Sequence, residues 1–529
     1  EDSARPQEFA MLGSSKFVRA IHNGFRVSHH VQISSRSMCV KAQAKVDEIV
    51  ARSKAAADKY SHFTQEQVDA VFKSAAFSAN GQRIPLAKLA AEETRMGLME
   101  DKVIKNHFAS EYIYNKYKNE KTCGVIEYSA ETGMAKVAEP MGVIAGIIPT
   151  TNPTSTAIFK CLIALKTRNS IIIAPHPRAP KSTGAAARAI YEGAIAAGAP
   201  EDIVQWIEQP ELAVSMALMK HPDVSLILAT GGPGMVKSAM SSAHPAIGVG
   251  AGNTPVVIDD TADILSAVSS IILSKTFDNG VICASEQSII VLDSVYDKVK
   301  AELIARGGYL LEGAEKDAVR SKILVDGHIN ADIVGQSVEN LGKIFGFSVP
   351  PGTRLLFGEI DTFGTHEPLS TEKLSPILGF YRAKTFEEAT QLAVDLITFG
   401  GPGHTSVLYT SPLNRKNIGH FQKKMNTVRI LINTPASQGA IGDLYNFHLD
   451  PSLTLGCGTW GGTSLSSNVA PKHLLNIKTV SERRENMLWF RVPPKVYFKP
   501  GCLEVALQEF AHKKRVFVVT DKPLYDMGV

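Results

Sequence analysis

A chain of 529 residues with 44% hydrophobic and 20% charged residues has the make-up of a folded globular protein, which excludes wholesale disorder. Lys and Arg number 56 against 52 Asp and Glu, so a net charge of +4 is spread over a large surface and gives no electrostatic reason to expect a nucleic-acid partner. No apolar run approaches the roughly 18 residues of a membrane-crossing helix, and the six cysteines are scattered without a CxxC pair, which suggests neither a disulfide framework nor a zinc site.

The first forty residues stand apart. Between Glu8 and Asp47 there is no acidic residue, while Lys16, Arg19, Arg26, Arg36 and Lys41 are interleaved with serines. That composition reads as a mitochondrial or plastid import segment, or alternatively as a basic tail on a cytoplasmic protein. From about Val40 to Tyr117, apolar residues recur at three- and four-residue spacing and predict helices, with Thr64 and Glu66 near an N-cap. "GVIEYSAETGMAKVAEP" predicts a strand, a turn and a second strand.

Beyond Pro140 short apolar strands alternate with helices: "GVIAGIIP", "STAIFKCLIALKTRN", "SIIIAP", "STGAAARAIYEGAIAAGA", "DIVQWIE", "PELAVSMALMKHP" and "VSLILAT". Helices of this length between buried strands predict right-handed βαβ crossovers and a parallel sheet. Ligands of such sheets bind beyond the carboxyl ends of the strands, so the loops at Pro149–Asn152, Pro175–Arg178 and Gly231–Gly234 should line one crevice. The alternation repeats less clearly from about Phe277 to Gly439 and predicts a second α/β unit. Trp206 and Trp460 read as core residues.

Three places could carry chemistry. Cys283, in "FDNGVICASEQ", lies between a helical run and a strand; a thiol there can meet a substrate, or it can be a small buried hydrophobe. Asn152, in "PTTNP", can donate a carboxamide N–H to an oxyanion or simply start a turn. Gly231, Gly232 and Gly234 end a strand at a helix N-terminus, which suits close approach of a pyrophosphate. "GVGAGNTP" lacks the second half of a dinucleotide-binding fingerprint and leads into a strand, which argues against that use.

Together these segments resemble the aldehyde dehydrogenase superfamily, with "PTTNP", "DNGVIC" and "EKLSP" in family order over about Val40 to Val480. The resemblance implies an α/β fold with a Rossmann-type parallel-sheet cofactor domain and a second α/β catalytic domain. It implies Cys283 as nucleophile, Asn152 as oxyanion donor and Glu372 as the residue that grips the nicotinamide ribose. An NAD site drawn from Ile147, Ile148, Pro149, Thr150, Thr151, Asn152, His176, Gly232, Gly250, Glu372 and His404 follows from it. His176 stands where related enzymes use another residue type, and either binds the adenosine end or shapes its turn. His404, in "GPGHTS", matches the bifunctional branch but could equally be a hydrogen-bonded loop residue. No metal site is expected within this stretch.

One departure from the family matters. Hydrolytic members carry a Glu-Leu-Gly-Gly segment whose glutamate activates water; here the matching stretch is "VGAGNTP", with Val249 in the glutamate's place. Valine cannot take a proton, so the resemblance narrows to the CoA-acylating half of bifunctional aldehyde/alcohol dehydrogenases, with coenzyme A as acyl acceptor and acetyl-CoA and acetaldehyde as substrates. Those relatives imply a homo-oligomer, extending to helical filaments. The expected division is a targeting or disordered extension over 1–40, an NAD-binding domain over 41–276, a thiol domain over 277–438, and a return and oligomerisation segment over 439–490. Residues 491–529 look like the opening strand and helix of an iron-dependent alcohol dehydrogenase half, whose iron site would lie beyond Val529, as in a piece of a longer protein. Alternatives are another aldehyde or semialdehyde dehydrogenase, or an inactive filament-forming scaffold.

Overall fold

Helices open the chain in the computed structural model, which describes residues 42–250, 252–442, 448–483 and 492–528. A helix over 42–60 is followed by Gln65–Gly81, capped by Thr64. The Thr64 hydroxyl accepts from the Gln67 N–H, and the Gln67 side chain accepts from the Thr64 N–H at 2.9 Å, a reciprocal capping box. Gln67 therefore supplies the return bond that Glu66 was expected to be near. The buried face of this helix is Val68, Val71, Phe72, Ala75, Ala76 and Ala79, spaced by threes and ones as a helical stripe requires. It rests on helices Pro153–Lys166 and Pro180–Ala196.

The predicted parallel sheet is present with five strands. Val143–Ile147 lies at its centre, with Ser170–Ala174 and Val204–Trp206 to one side and Val224–Thr230 and Ala246–Val249 to the other. Every pairing is parallel. Chain order reverses between Val143–Ile147 and Val224–Thr230, and at such a reversal the loops leaving the two strands part and open a crevice.

A second, seven-stranded parallel sheet runs in the order Gly308–Leu311, Leu355–Glu359, Ile377–Ala383, Glu286–Leu292, Thr254–Ile258, Gly403–Tyr409 and Thr427–Ile432. Its strands form the largest apolar core of the molecule, centred on Val256, Val257, Ile289 and Ile290, none with measurable exposure. Strand Thr254–Ile258 belongs to this sheet, so the change of layer falls near residue 250 and not at 276. "PVVI" continues the apolar alternation in sequence without showing which sheet it joins.

Both sheets belong to one compact unit, which takes in residues up to Ile126 and Lys136–Lys478. A second unit comprises Glu127–Ala135 and Thr479–Val529. Its described C-terminal residues carry the expected helix, Cys502–Glu509, but no strand forms among residues 492–528. Phe517 is 90% exposed and Val519 82% exposed, and a parallel strand without a neighbour has no partner for its N–H and C=O groups. Of the two tryptophans read as core, Trp460 is 51% exposed, whereas half-buried Trp206 packs against the apolar core beside the five-stranded sheet, with the Arg188 guanidinium 5.5 Å from its ring centroid.

Candidate active site

The loops leaving the carboxyl ends of the five-stranded sheet and those entering the amino ends of the seven-stranded sheet line one cleft of about 470 Å³. From the first sheet come Ile147–Asn152, Ala174–Pro177, Thr230–Pro233 and the pair Val249 and Gly250. From the second come Cys283, Glu372 and Leu374, each in the segment before its strand. Of the expected catalytic and cofactor residues all but His404 line this cleft, as does Val249 on the wall facing the thiol, while Arg178 and Gly234 of the expected loops do not.

The dinucleotide ledge is built from backbone and small side chains. Gly232 caps helix Pro233–Met240 without any side-chain cap. Pro233 has no N–H and the Met235 N–H donates to Gly232 O at 3.0 Å, which leaves the Gly234 N–H as the first-turn donor available to an anion. A Cβ at Gly232 would meet nothing within 4 Å. The hydroxyl of Thr150 is buried with no hydrogen-bond partner, an orphaned polar atom that a ligand in the cleft would satisfy. His176 sits on the same ledge, its Nδ1 accepting from the Arg178 N–H at 3.1 Å; burial, with Arg178 nearby, lowers its pKa and keeps it neutral. These features fit a dinucleotide, which Thr150, Gly231, Gly232, His176 and Glu372 would hold.

The thiol side is charged and strained. Asp278, Asn279 and Gly280 have φ of 50°, 52° and 73°, three successive left-handed residues, a conformation that Gly, Asn and Asp tolerate best. The turn is pinned from several directions. Asp278 N–H donates to Asp101 Oδ2 at 2.7 Å, and its Oδ1 accepts from Leu98 N–H at 2.7 Å. Its Oδ2 accepts from Lys102 at 2.9 Å and from Lys105 at 2.5 Å. Burial alone would favour a protonated Asp278, but Lys105 and Lys102 hold its carboxyl below the usual range. The Asn279 amide donates to Gly335 O at 3.0 Å.

Cys283 follows this turn and is partly open to the cleft. Burial, then the nearby Glu372 charge, pushes its thiol up to about 12. Glu372 itself is pushed up to about 7, by burial, against the pull of the Gly252 N–H that donates to its Oε1 at 3.3 Å. Gly252 passes so close behind the thiol that a Cβ there would stand 2.2 Å from Cys283 O and 3.2 Å from His404 Cγ. This is where "GNTP" is used: as a close crossing between the sheets, not as a phosphate loop.

His404 is fully buried beside Gly252 and is not among the residues that line the cleft. Its Nδ1 lies 2.9 Å from Thr405 Oγ1 and its Nε2 has no partner. Burial and then Arg429 hold it well below the usual histidine range, hence neutral. "GPGHTS" could not reveal this, because a strand's first residues face either a cleft or a core according to the neighbouring backbone.

Asn152 occupies the N-cap position of helix Pro153–Lys166 but makes no side-chain cap. Its Oδ1 instead accepts from Lys105 Nζ at 2.6 Å, and its Nδ2 donates to Thr151 Oγ1 at 3.2 Å. Lys105, Asp278 and Leu374 were not picked out from sequence. The available signal was the pair Lys102 and Lys105, one helical turn apart on helix Met99–His107, whose buried residues are these two and Asn106.

Residues 30–318 match the aldehyde dehydrogenase family. The chain belongs to that family. It is 58% identical over 494 residues to the bifunctional aldehyde-alcohol dehydrogenase AdhE of Escherichia coli K12, covering 93% of this chain and 55% of that relative; the chain thus spans about half the length of that protein. Among solved structures, an acetylating aldehyde dehydrogenase from Geobacillus thermoglucosidasius superposes with a TM-score of 0.83 at 44% identity, over 86% of this chain and 99% of that one. A propionaldehyde dehydrogenase from Rhodopseudomonas palustris, solved with bound CoA and an acylated cysteine, superposes with a TM-score of 0.73 at 28% identity, over 83% of this chain and 97% of that one. The family thus confirms the expected fold class. It also corrects the mitochondrial or plastid address, because the relative at 58% identity is a protein of a bacterium, which has no such organelles. The segment read as an import sequence lies outside the described residues.

Proposed function

We propose that this chain interconverts acetaldehyde and acetyl-CoA with NAD as redox partner, through a thioester on Cys283. The observation that carries the reading is that Cys283, the Asn152 carboxamide loop, an anion-ready ledge and Val249 line one cleft. In the forward sense the Cys283 sulfur bonds to the aldehyde carbon and the Asn152 N–H holds the oxygen that becomes negative. The thiol is protonated at rest, so its proton passes to solvent water at the open cleft as that bond forms. When bound, NAD supplies the acceptor for the aldehyde's hydride. The acyl group then sits on Cys283 as a thioester, and the thiolate of coenzyme A displaces the sulfur to give acyl-CoA.

Val249 supports transfer to a thiol rather than to water: its side chain cannot act as a base, and Glu372 is the one carboxylate among the described lining residues. Coenzyme A needs no such base, since a thiolate is already a good nucleophile towards a thioester. The likeness to an acetylating dehydrogenase and to a structure with CoA and an acylated cysteine supports the same choice. In fermentation the flux would run towards acetaldehyde, the precursor of ethanol.

Incubation with acetyl-CoA alone should place one acetyl group on the peptide containing Cys283, removable by free coenzyme A. Cys283→Ala should lose both the adduct and acetyl-CoA-dependent NADH oxidation. Continued turnover by that variant would overturn the reading.

A further inference from the structure

Two lysines share one carboxylate beneath the thiol turn, and only one of them reaches further. Lys102 lies 2.9 Å from Asp278 Oδ2 and is enough to neutralise it. Lys105 adds a second contact at 2.5 Å and also donates to Asn152 Oδ1 at 2.6 Å. All three charged groups are buried, at 3% exposure or less. Lys105 therefore adds to a pair already formed, with the Asp101 carboxyl also close enough to favour its charge, and it is the lysine directed at the carboxamide.

An ammonium group has only donors, so the Asn152 atom beside it must be the oxygen. The amide cannot be turned over while Lys105 stays charged, because its NH₂ would then face NH₃⁺. One Nδ2 hydrogen is directed to Thr151 Oγ1, and the other remains for a substrate oxygen. A cation on Oδ1 also polarises the amide and strengthens its N–H as a donor. The Lys105 ammonium lies 5.6 Å from the Phe277 ring centroid, a contact that further fixes it next to the thiol turn.

From these contacts we infer that Lys105 is a positioning residue for the oxyanion site: anchored on Asp278, it locks the Asn152 amide with N–H towards the reacting carbonyl and ties that amide to the turn bearing Cys283. The inference rests on the proposed role of Asn152 and deepens it. Catalysis of this kind needs the donor fixed before charge develops, and a freely rotating amide would present its oxygen half the time.

The test compares Lys105→Met, Asn152→Ala and the double variant in the full chain. Lys105→Met should lower kcat for CoA-dependent acetaldehyde oxidation by about 10²- to 10³-fold, the loss typical of removing one oxyanion donor, while the Kd for NADH moves less than about twofold. Alkylation of Cys283 by iodoacetamide should keep its rate, since displacement at a saturated carbon develops no oxyanion. The double variant should be no slower than Asn152→Ala alone, because both changes remove the same interaction. Lys105→Gln, which keeps a donor without the charge, should recover part of the rate and carries the same cycle if the Met variant does not fold. Retained kcat in Lys105→Met or Lys105→Gln, a parallel fall in alkylation, or losses that multiply in the double variant would overturn the inference. Wild-type kcat in Asn152→Ala would remove the oxyanion reading itself, and the inference with it.

Discussion

The loops leaving the five-stranded sheet meet the cleft with glycines, threonines and open space, whereas the segments entering the seven-stranded sheet meet it with buried charge and left-handed backbone. Gly232 has φ of −63° and room for a Cβ, while Gly280 has φ of +73° and would place a Cβ 2.9 Å from the Ser375 backbone. The first wall is shaped for something that comes and goes. The second holds a nucleophile in one place, and its conformation depends on Leu98, Asp101, Lys102 and Lys105 around Asp278. The difference teaches that a residue type such as glycine can serve the ligand on one side of a cleft and the fold on the other.

The sharpest way to break that contrast is to remove the anchor of the charged wall. Asp278→Ala would leave Lys102 and Lys105 buried without their carboxylate and the Leu98 N–H without its acceptor. Stripping one partner from a buried ion pair costs about 3–5 kcal/mol, which denaturant titration should show as a large fall in the unfolding midpoint. A loss under about 1 kcal/mol would mean that the turn is held by other contacts. Next come paired glycine substitutions. Gly280→Ala should destabilise by about 2–4 kcal/mol, from left-handed strain plus backbone overlap. Gly232→Ala should change stability by less than about 1 kcal/mol yet weaken NADH binding by about 10- to 100-fold, the worth of a charge-assisted hydrogen bond to a displaced phosphate. Equal effects of the two substitutions on stability would erase the distinction between the walls.

The same division decides what could be read from sequence. The five-stranded sheet was legible because each strand is an unbroken apolar run between helices of crossover length, and its loops follow from the rule about carboxyl ends. Asn152, Cys283 and Glu372 were legible through motifs of the family. The membership of Thr254–Ile258 was not, because an apolar run looks the same in either sheet. Nor were Lys105 and Asp278, which lie 173 positions apart and acquire meaning only when folding brings them to 2.5 Å. His404 shows the converse: a matching motif identified a residue beside the Gly252 crossing, but the motif does not show that its side chain is wholly buried.

A milder perturbation, pH, should separate the walls as well. Glu372 is pushed up to about 7 by burial, so below that pH it is mostly protonated and above it mostly ionised. The ionised carboxylate only accepts, and is the stronger acceptor for two ribose hydroxyls, whereas the acid form has one oxygen committed to its own proton. NADH affinity should therefore rise with pH, by up to about tenfold between pH 6 and pH 8 if the acid form binds weakly. The ledge contributes His176, whose pKa is lowered by burial and then by Arg178, so its titration moves away from that of Glu372. Fluorescence titration of NADH across this interval should give a rising affinity in the native chain and a flat one in Glu372→Gln. The same slope in both proteins would assign the pH dependence to another group, and with it the ribose contact.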